Sequence, residues 1–579
     1  MNIAPAIKPQ LRLDPVTVEV VRNKLDGISN EMQLKLIRSS FSPLVKEGFD
    51  AAASLFTTKG EVLSLSLSVP GHLSASIPCV QAMLDAFPLS AAKEGDIYIM
   101  NDPYLGGTHI PDIAMAVPVF HKGRPIAISC TITHHQDLGG MVPGSLPTNA
   151  TDIFQEGLRI PPVKLRDAGV ENDTLVRIIR QNVRFPDMLM GDLNAQIASC
   201  TVGARRLGEL ASGFDVDQLQ RIFHDILDRS ERMTRESFRA IPNGTYRYTD
   251  YFDNDGIDLD RRVRIQVQIE VADDAVQVDF EGTDGQLTGP FNCVPSASQS
   301  GVYFALRAIA GPDIPSNGGC FRPITINLPR GTFVNPVEPA PVNSRSAAIK
   351  RIAGAILGAF RDALPDRIPA DSACQLLLLI FAGVRNDQSR YITGELLVGG
   401  SGASMGSDGV DVIETDNTNC TNIPIETLEL GTPIRVLRSE LRPDSGGPGR
   451  HRGGLGLVKE FELLEGTMTL THRGERHFHP AQGYAGGGPG ACARGVVHRH
   501  TGVTEEIRSK IVTDLAAGDR LVIETAGGGG FGDPGERPRV SLDLDQADEK
   551  VTASATEELY RRASAVKGEP SHSEDDRGG

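Results

Sequence analysis

Apolar residues recur at three- and four-residue intervals through Val18, Val21, Leu25, Ile28 and Met32, the spacing of one buried stripe on a helix. Asp14-Pro15 supplies a capping carboxylate and a proline at the first helical position, so the pattern predicts a helix over residues 15–39 and leaves residues 1–13 as a loose arm. The period then shortens. Asp50 introduces the apolar run AAASLF, Lys59-Gly60 marks a turn, and EVLSLSLS alternates, as in a hairpin. Further on, IAMAVPVF (113–120) and PIAISCTIT (125–133) flank the turn signal HKGRP and read as two buried strands.

Helical spacing returns between residues 172 and 241. Ile197, Cys200, Ala204, Leu207 and Leu210 form one stripe, and Leu219, Ile222, Phe223, Ile226 and Leu227 a second, which predicts a helical hairpin packed on the preceding region. After the turn Pro242-Asn243-Gly244, strict alternation at Val263, Ile265, Val267 and Ile269, then at Val276, Val278 and Phe280, predicts a half-exposed antiparallel sheet. Helices follow near 299–310 and over 347–364. LLLLIFAGV (376–384) reads as a buried element, strands resume over 390–398, and a glycine-rich turn feeds a β-rich region reaching about residue 524. The expected fold class is α+β: a large, loop-rich, multi-segment protein of antiparallel sheets and packed helices. Its segments are an α/β region at 14–170, a helical region at 171–241, a mixed β-rich region at 242–345, and an α/β then β-rich region at 346–538. Residues 539–579, rich in Asp, Glu, Ser and Arg, are expected to be a frayed helix and a disordered tail.

Composition narrows the function classes. A chain of 579 residues exceeds one ordinary core. Its 58 Lys and Arg against 74 Asp and Glu give a net charge of −16, which argues against a nucleic-acid partner. The eight cysteines are scattered with no CxxC pair, as in a reduced, cytoplasmic protein. The N-terminal residues lack the apolar core of a signal peptide, and no run approaches the roughly 18 apolar residues of a membrane span.

The chemistry concentrates between Asn101 and Lys164. His109 and Asp112 stand three apart beside Gly106-Gly107, and His134, His135 and Asp137 precede Gly139-Gly140, in a chain with only 13 histidines. Imidazole nitrogen with carboxylate oxygen suits Zn²⁺, Mn²⁺ or Fe²⁺. The predicted strand pair brings its outer ends together, His109 and Asp112 at the start of one strand and His134 at the end of the next. The alternative is a set of hydrogen-bonded loop polar groups. Asp50 and His72 are further ligand candidates. His472, His477 and His479 form a second histidine group, but Arg473 and Arg476 among them favour an anion or a subunit contact. No GxxxxGK[ST] phosphate loop is present, and the glycine runs GGSGASMG and GGGGFG are read as turns.

A succession of blocks then carries a resemblance: NDPYLGGTHIPD, HHQDLGG, PGSLPTNATDIFQEGLRIPPVKL, GPFN, PDIPSNGGCFRPI, LRPDSGGPGRHRGGLG and GGGGFGDP. From about residue 14 to 537 the chain resembles the hydantoinase B/5-oxoprolinase family. The resemblance implies a B-type subunit of an ATP-dependent hydrolase of cyclic amides (hydantoins, 5-oxoproline, lactams). Its hydantoinase A-like partner, with an actin-like ATPase fold, supplies the ATP and Mg²⁺ site and phosphorylates the carbonyl oxygen of the ring; the phosphorylated intermediate is hydrolysed here. It implies a hetero-oligomer that also self-associates. Carried over by motif, the ligands of one divalent metal, zinc first and manganese or iron as alternatives, are Asp50, His109, Asp112 and His134. His135, Asp137 and Glu156 are the candidate proton carriers. Two stretches depart from the family pattern: Lys46-Glu47-Gly48-Phe49 where an Arg before the Asp is usual, and NSRSAAIKR (343–351) where a Gly-rich ETSQR-like segment is usual. A ketone carboxylase subunit is the alternative within enzymes, and a non-catalytic scaffold for the ATPase the alternative outside them.

Overall fold

Asp14 caps the first helix as its position predicts, accepting the Val16 and Thr17 N–H groups at 3.2 and 3.1 Å. In this computed structural model, which describes residues 14–66 and 69–560, that helix is α1 (Pro15–Ser39), and its buried face carries Val18, Val21, Leu25, Ile28 and Met32. The arm expected over residues 1–13 lies outside the described residues. After α2 (Pro43–Lys46) come β1 (Ala51–Phe56), β2 (Val62–Leu65), α3 (Pro70–Ala86), β3 (Ile97–Met100), β4 (Asp112–His121), β5 (Arg124–His134), β6 (Val163–Asp167) and β7 (Val170–Glu171). The strands form one sheet in the order β2-β1-β5-β4-β3-β6-β7, every neighbouring pair antiparallel.

Both faces of this sheet are covered, which explains why its central strands read as unbroken apolar runs. Side chains alternate across β1: Ala53 and Leu55 pack toward α1, and Ala52 and Phe56 toward α3. The helical region supplies α4 (Asp173–Asn182), α5 (Pro186–Ala211) and α6 (Val216–Arg239). Of these, α5 lies against α1, β4 and β5. It comes closest at Gly203, where an added Cβ would stand 2.3 Å from Ser129 Oγ and 2.4 Å from Met32 Sδ.

The second sheet holds β8 (Gly244–Phe252), β9 (Val263–Ala272), β10 (Ala275–Asp279) and β11 (Ile324–Asn327), ordered β11-β10-β9-β8. Its alternation matches the pattern, with Val263, Ile265, Val267 and Ile269 buried, although β11 joins β10 in parallel. Two helices, α7 (Pro295–Ala310) and α8 (Arg345–Phe360), pack against one another and share its apolar core. That core runs from Ile97 to Ile368 and so crosses the segment ends expected at 170, 241 and 345.

The remaining chain forms two sheets around a shared core. Its elements are β12 (Leu376–Val384), β13 (Arg390–Val398), α9 (Ile425–Gly431), β14 (Ile434–Leu441), β15 (Leu457–Leu463), β16 (Thr467–Arg473), β17 (Arg494–His498), β18 (Thr504–Ile507), β19 (Lys510–Ala516) and β20 (Arg520–Glu524). The orders are β13-β12-β16-β19 and β14-β15-β20-β17-β18. The glycine runs pack backbone on backbone: a Cβ at Gly528 would stand 1.9 Å from the Ser401 carbonyl oxygen. Of the tail expected over 539–579, residues up to 560 are structured as α10 (Arg539–Ala547), α11 (Ala553–Ala555) and a π-helical turn. Leu542, Val551 and Tyr560 pack together there, and Asp545 pairs with Arg537 at 2.6 Å. Residues 561–579 lie outside the described residues. Among the described residues no helix is long and apolar enough to cross a membrane.

The close seat of α5 gives a packing prediction. Gly203→Val overfills the contact with Ser129 and Met32 and destabilises the fold by about 1–3 kcal/mol, read as a lower Tm in scanning calorimetry; an unchanged Tm would show that the helix can lift off the sheet freely.

Candidate metal centre

Strand register assembles the centre. Asp112 opens β4 directly opposite His134, which closes β5. On the other side of β5, the His134 N–H donates to the Asp50 carbonyl at 3.1 Å, so Asp50 lies at the same end of the sheet. His109 stands in the turn before β4, where its carbonyl accepts the Asp112 N–H at 3.1 Å. That turn is held from beneath by Asn101. The Asn101 amide donates to the Ile110 and Leu158 carbonyls at 2.7 and 2.9 Å, and its oxygen accepts the Ile160 N–H at 2.6 Å. Gly107 is required in the same turn, because a Cβ there would stand 2.6 Å from the Asn101 carbonyl oxygen.

Three donor atoms converge. His109 Nε2 lies 3.0 Å from Asp112 Oδ1, His134 Nδ1 lies 3.1 Å from the same oxygen, and the two imidazole nitrogens are 3.2 Å apart. The other nitrogen of His109, Nδ1, donates to the Asn343 carbonyl at 2.9 Å. That bond fixes the tautomer and leaves a lone pair on Nε2 pointing at the carboxylate. A neutral imidazole lone pair and an anionic oxygen at this distance repel unless a cation lies between them, so the donor set fits a divalent ion. Burial, reinforced by Arg345, pushes the His109 pKa down to about 3, which keeps this nitrogen free for a ligand. Burial raises the Asp112 carboxyl, but Arg345 and the facing imidazoles outweigh it and hold the group well below the usual carboxylate range. Among the described residues, His109, Asp112 and His134 are the group of His, Cys, Asp and Glu whose donor atoms stand close enough to hold a metal ion.

Asp50 stands beside this group rather than within it. Its Oδ1 accepts from His72 Nε2 at 2.7 Å, and His72 Nδ1 lies 3.6 Å from Asp112 Oδ2. Burial lowers the His72 pKa, but Asp112 and Asp50 more than reverse it and raise the pKa overall. Burial likewise raises Asp50, and the His72 bond returns it below its ordinary value. Two residues from outside the predicted cluster complete the surroundings. Arg345, at the first turn of α8, pairs with Asp112 Oδ2, and Arg473, at the end of β16, reaches the Asn343 carbonyl at 3.5 Å. These groups line one wall of a cavity of about 50 Å³ whose opposite wall is apolar, with Leu146, Leu378, Ile380 and Leu396. Asn417, Thr418 and Cys420 also line it, from a loop that Lys350 holds through Glu414 and the Asp416 carbonyl.

The three expected proton carriers are placed apart from the donor set. His135 Nε2 lies 3.1 Å from Gln196 Oε1, because strand alternation turns it away from its neighbour His134. Asp137 accepts from the Gly139, Gly144 and Arg184 N–H groups at 3.1, 2.9 and 3.0 Å and from the Arg184 guanidinium at 3.0 Å. Glu156 accepts from the Val342 and Asn343 N–H groups at 3.1 and 2.9 Å, and burial pushes its pKa up to about 8. In the second histidine group, His472 and His477 lie with ring centroids 5.6 Å apart, and His479 packs against Tyr251. Sequence spacing gave no signal for Arg345 at this site and left the role of Arg473 open between an anion and a subunit contact.

Comparison with known proteins finds likenesses over nearly the whole chain. A family model described as hydantoinase B/oxoprolinase matches residues 14–534. The chain is 34% identical over 552 residues to an uncharacterized protein of Methanocaldococcus jannaschii, covering 95% of this chain and 96% of that protein. It is 33% identical over 550 residues to the caprolactamase subunit beta of Pseudomonas jessenii, covering 92% of this chain and 93% of the relative. The crystal structure of the ATP-dependent caprolactamase from that organism superposes with a TM-score of 0.88 at 30% identity, covering 95% of this chain and 96% of that one. Nucleotide-free acetone carboxylase shares the fold, with a TM-score of 0.87 at 20% identity over 94% of this chain and 79% of that one.

The Asn101 bonds carry a prediction. Asn101→Ala leaves two carbonyls and one N–H without partners in a buried turn and lowers unfolding free energy by about 2–4 kcal/mol. Chemical denaturation checks it, and wild-type stability in the variant would mean that the turn holds itself.

Proposed function

This chain belongs to the hydantoinase B/oxoprolinase family, and from that premise we propose that it is the B-type subunit of an ATP-dependent hydrolase that opens a cyclic amide such as a hydantoin, 5-oxoproline or a lactam. The observation that carries the reading is the buried His109–Asp112–His134 donor set facing an apolar-walled cavity. ATP with Mg²⁺ binds an A-type partner, which fits a chain that has no phosphate loop of its own. The ring carbonyl oxygen is phosphorylated there, because an unactivated amide is a poor electrophile, and the activated ring is hydrolysed at this centre.

His109, Asp112 and His134 would hold a divalent ion, zinc foremost since two imidazoles and a carboxylate suit its borderline character, with manganese or iron as alternatives; Asp50, bonded to His72 beside them, would be the fourth candidate ligand. Such an ion supplies Lewis-acid activation of water and of the reacting carbon. The Asn343 carbonyl keeps His109 in the tautomer that presents Nε2. His72, bonded to Asp50 and facing Asp112, holds a proton at the edge of the cavity and is the group placed to pass it on. Glu156 positions the Asn343 backbone through its two accepted N–H bonds. Asp137 fixes the turn that follows His135 in the same way. Leu146, Leu378, Ile380 and Leu396 take the hydrocarbon part of the ring and exclude bulk water.

Elemental analysis of the purified chain is expected to find one equivalent of Zn, Mn or Fe, lost from a folded His109→Ala/Asp112→Ala double variant. With the A-type partner and ATP, Asp112→Ala is expected to lower ring opening at least about a hundredfold while ATP still binds the partner. Ring opening at the wild-type rate in that variant would sink the assignment. ATP turnover that requires both a ketone and bicarbonate would instead identify a carboxylase subunit.

A further inference from the structure

Buried arginines in this protein are paired almost without exception. Arg351 meets Asp250 at 3.0 Å, Arg361 meets Asp371 at 2.5 Å, Arg452 meets Asp411 at 3.2 Å and Arg537 meets Asp545 at 2.6 Å. Arg473 differs. It is 4% exposed, yet no carboxylate among the described residues lies within ion-pair distance of it. Its guanidinium has only two long bonds to neutral acceptors, 3.5 Å to the Asn343 carbonyl and 3.2 Å to Ser346 Oγ. The nearest acid that affects it, Glu156, is turned to two backbone N–H groups. A buried cation without a counter-charge is costly, and the fold adds a second one beside it. Arg345 lines the same cavity, spends one nitrogen on Asp112, and leaves its buried Nε without a hydrogen-bond partner.

Two guanidiniums face one cavity next to a cation-binding donor set; the carboxylates there, Asp50 and Asp112, are engaged by His72 and Arg345, and Arg473 is left without a counter-charge. The planar fork of a guanidinium matches the oxygen pairs of carboxylate and phosphate. We infer that Arg345 and Arg473 form a cradle for an anionic oxygen group on the reacting molecule, one edge of which lies at the His109–Asp112–His134 centre. The inference rests on the hydrolase reading for what the molecule is, since two sources share this chemistry: the phosphoryl group placed on the ring carbonyl, or a carboxylate carried by the ring itself. Arg473 is the specificity-determining member. Arg345 couples the cradle to the metal centre through its bond to Asp112, so it is left intact in the test.

The test uses the full-length chain loaded with Zn²⁺, titrated calorimetrically with inorganic phosphate and, separately, with glutarate, with metal content and circular dichroism read on the same samples. The wild-type chain is expected to bind at least one of the two saturably. Arg473→Met, which keeps the volume and removes the charge, is expected to bind it about tenfold to a hundredfold more weakly at unchanged metal content. Preference for phosphate supports the cradle and identifies the phosphoryl group; preference for glutarate supports it and identifies a ring carboxylate. Saturable binding that is equally tight in Arg473→Met overturns the proposal, as does the absence of saturable binding of both anions to the wild type. Arg473→Gln carries the same expectation where the Met variant does not fold. A chain that binds no metal but loses anion affinity in the variant keeps the cradle and removes the metal reading; the converse keeps the metal centre and removes the cradle.

Discussion

Asp112 is a carboxylate with no exposure to solvent, held well below the usual carboxylate range, and the end of the first sheet is arranged around the need to compensate it. A buried charge is tolerated only when it is paired and hydrogen-bonded. Here Arg345 from α8, His72 from the start of α3 and the Thr108 hydroxyl compensate it, and His109 from the preceding turn and His134 from the neighbouring strand stand against its Oδ1. The centre therefore ties the first sheet to α8 more firmly than apolar contact alone would.

The same requirement explains the rest of the site's geometry. The Asn343 carbonyl receives His109, the Asn343 N–H is held by Glu156, and Glu156 sits in the stretch that Asn101 pins through Leu158 and Ile160. These bonds form a continuous path from the turn at Asn101 to the start of α8. The carboxylates in this path act as anchors for backbone N–H groups. Asp137, with four accepted bonds, is the clearest case.

The apolar wall has a different origin. It comes from β12 and β13, strands of the third sheet, and from Leu146 in the turn after β5. The cavity is therefore a seam, polar where the first sheet and α8 meet and apolar where the third sheet closes over them. The loop carrying Asn417 and Thr418 closes it through the bond from the Gly71 N–H to the Asn417 carbonyl at 2.8 Å.

Much of this was legible in the residues because it is local. The α1 stripe, the alternation in β9 and the two runs around HKGRP follow from periods of 3.6 and 2. The strand pair sets its own register, so the spacing of His109, Asp112 and His134 already implies that they meet at one end of it. What the residues could not convey is pairing across long separations: that Asp50 is engaged by His72, that Arg345 at the start of α8 pairs with Asp112, that Arg473 arrives at the same cavity from β16, and that the helix at residues 539–547 packs rather than frays. Nor could they separate carboxylates that anchor backbone from carboxylates that move protons, because both uses need the same side chain. Sequence alone determined the local elements and the facing of Asp112 and His134 across one strand pair, since neighbouring residues constrain one another through backbone geometry. Only the tertiary structure decided the charge balance of the cavity, since that depends on which distant side chains share a space closed to water.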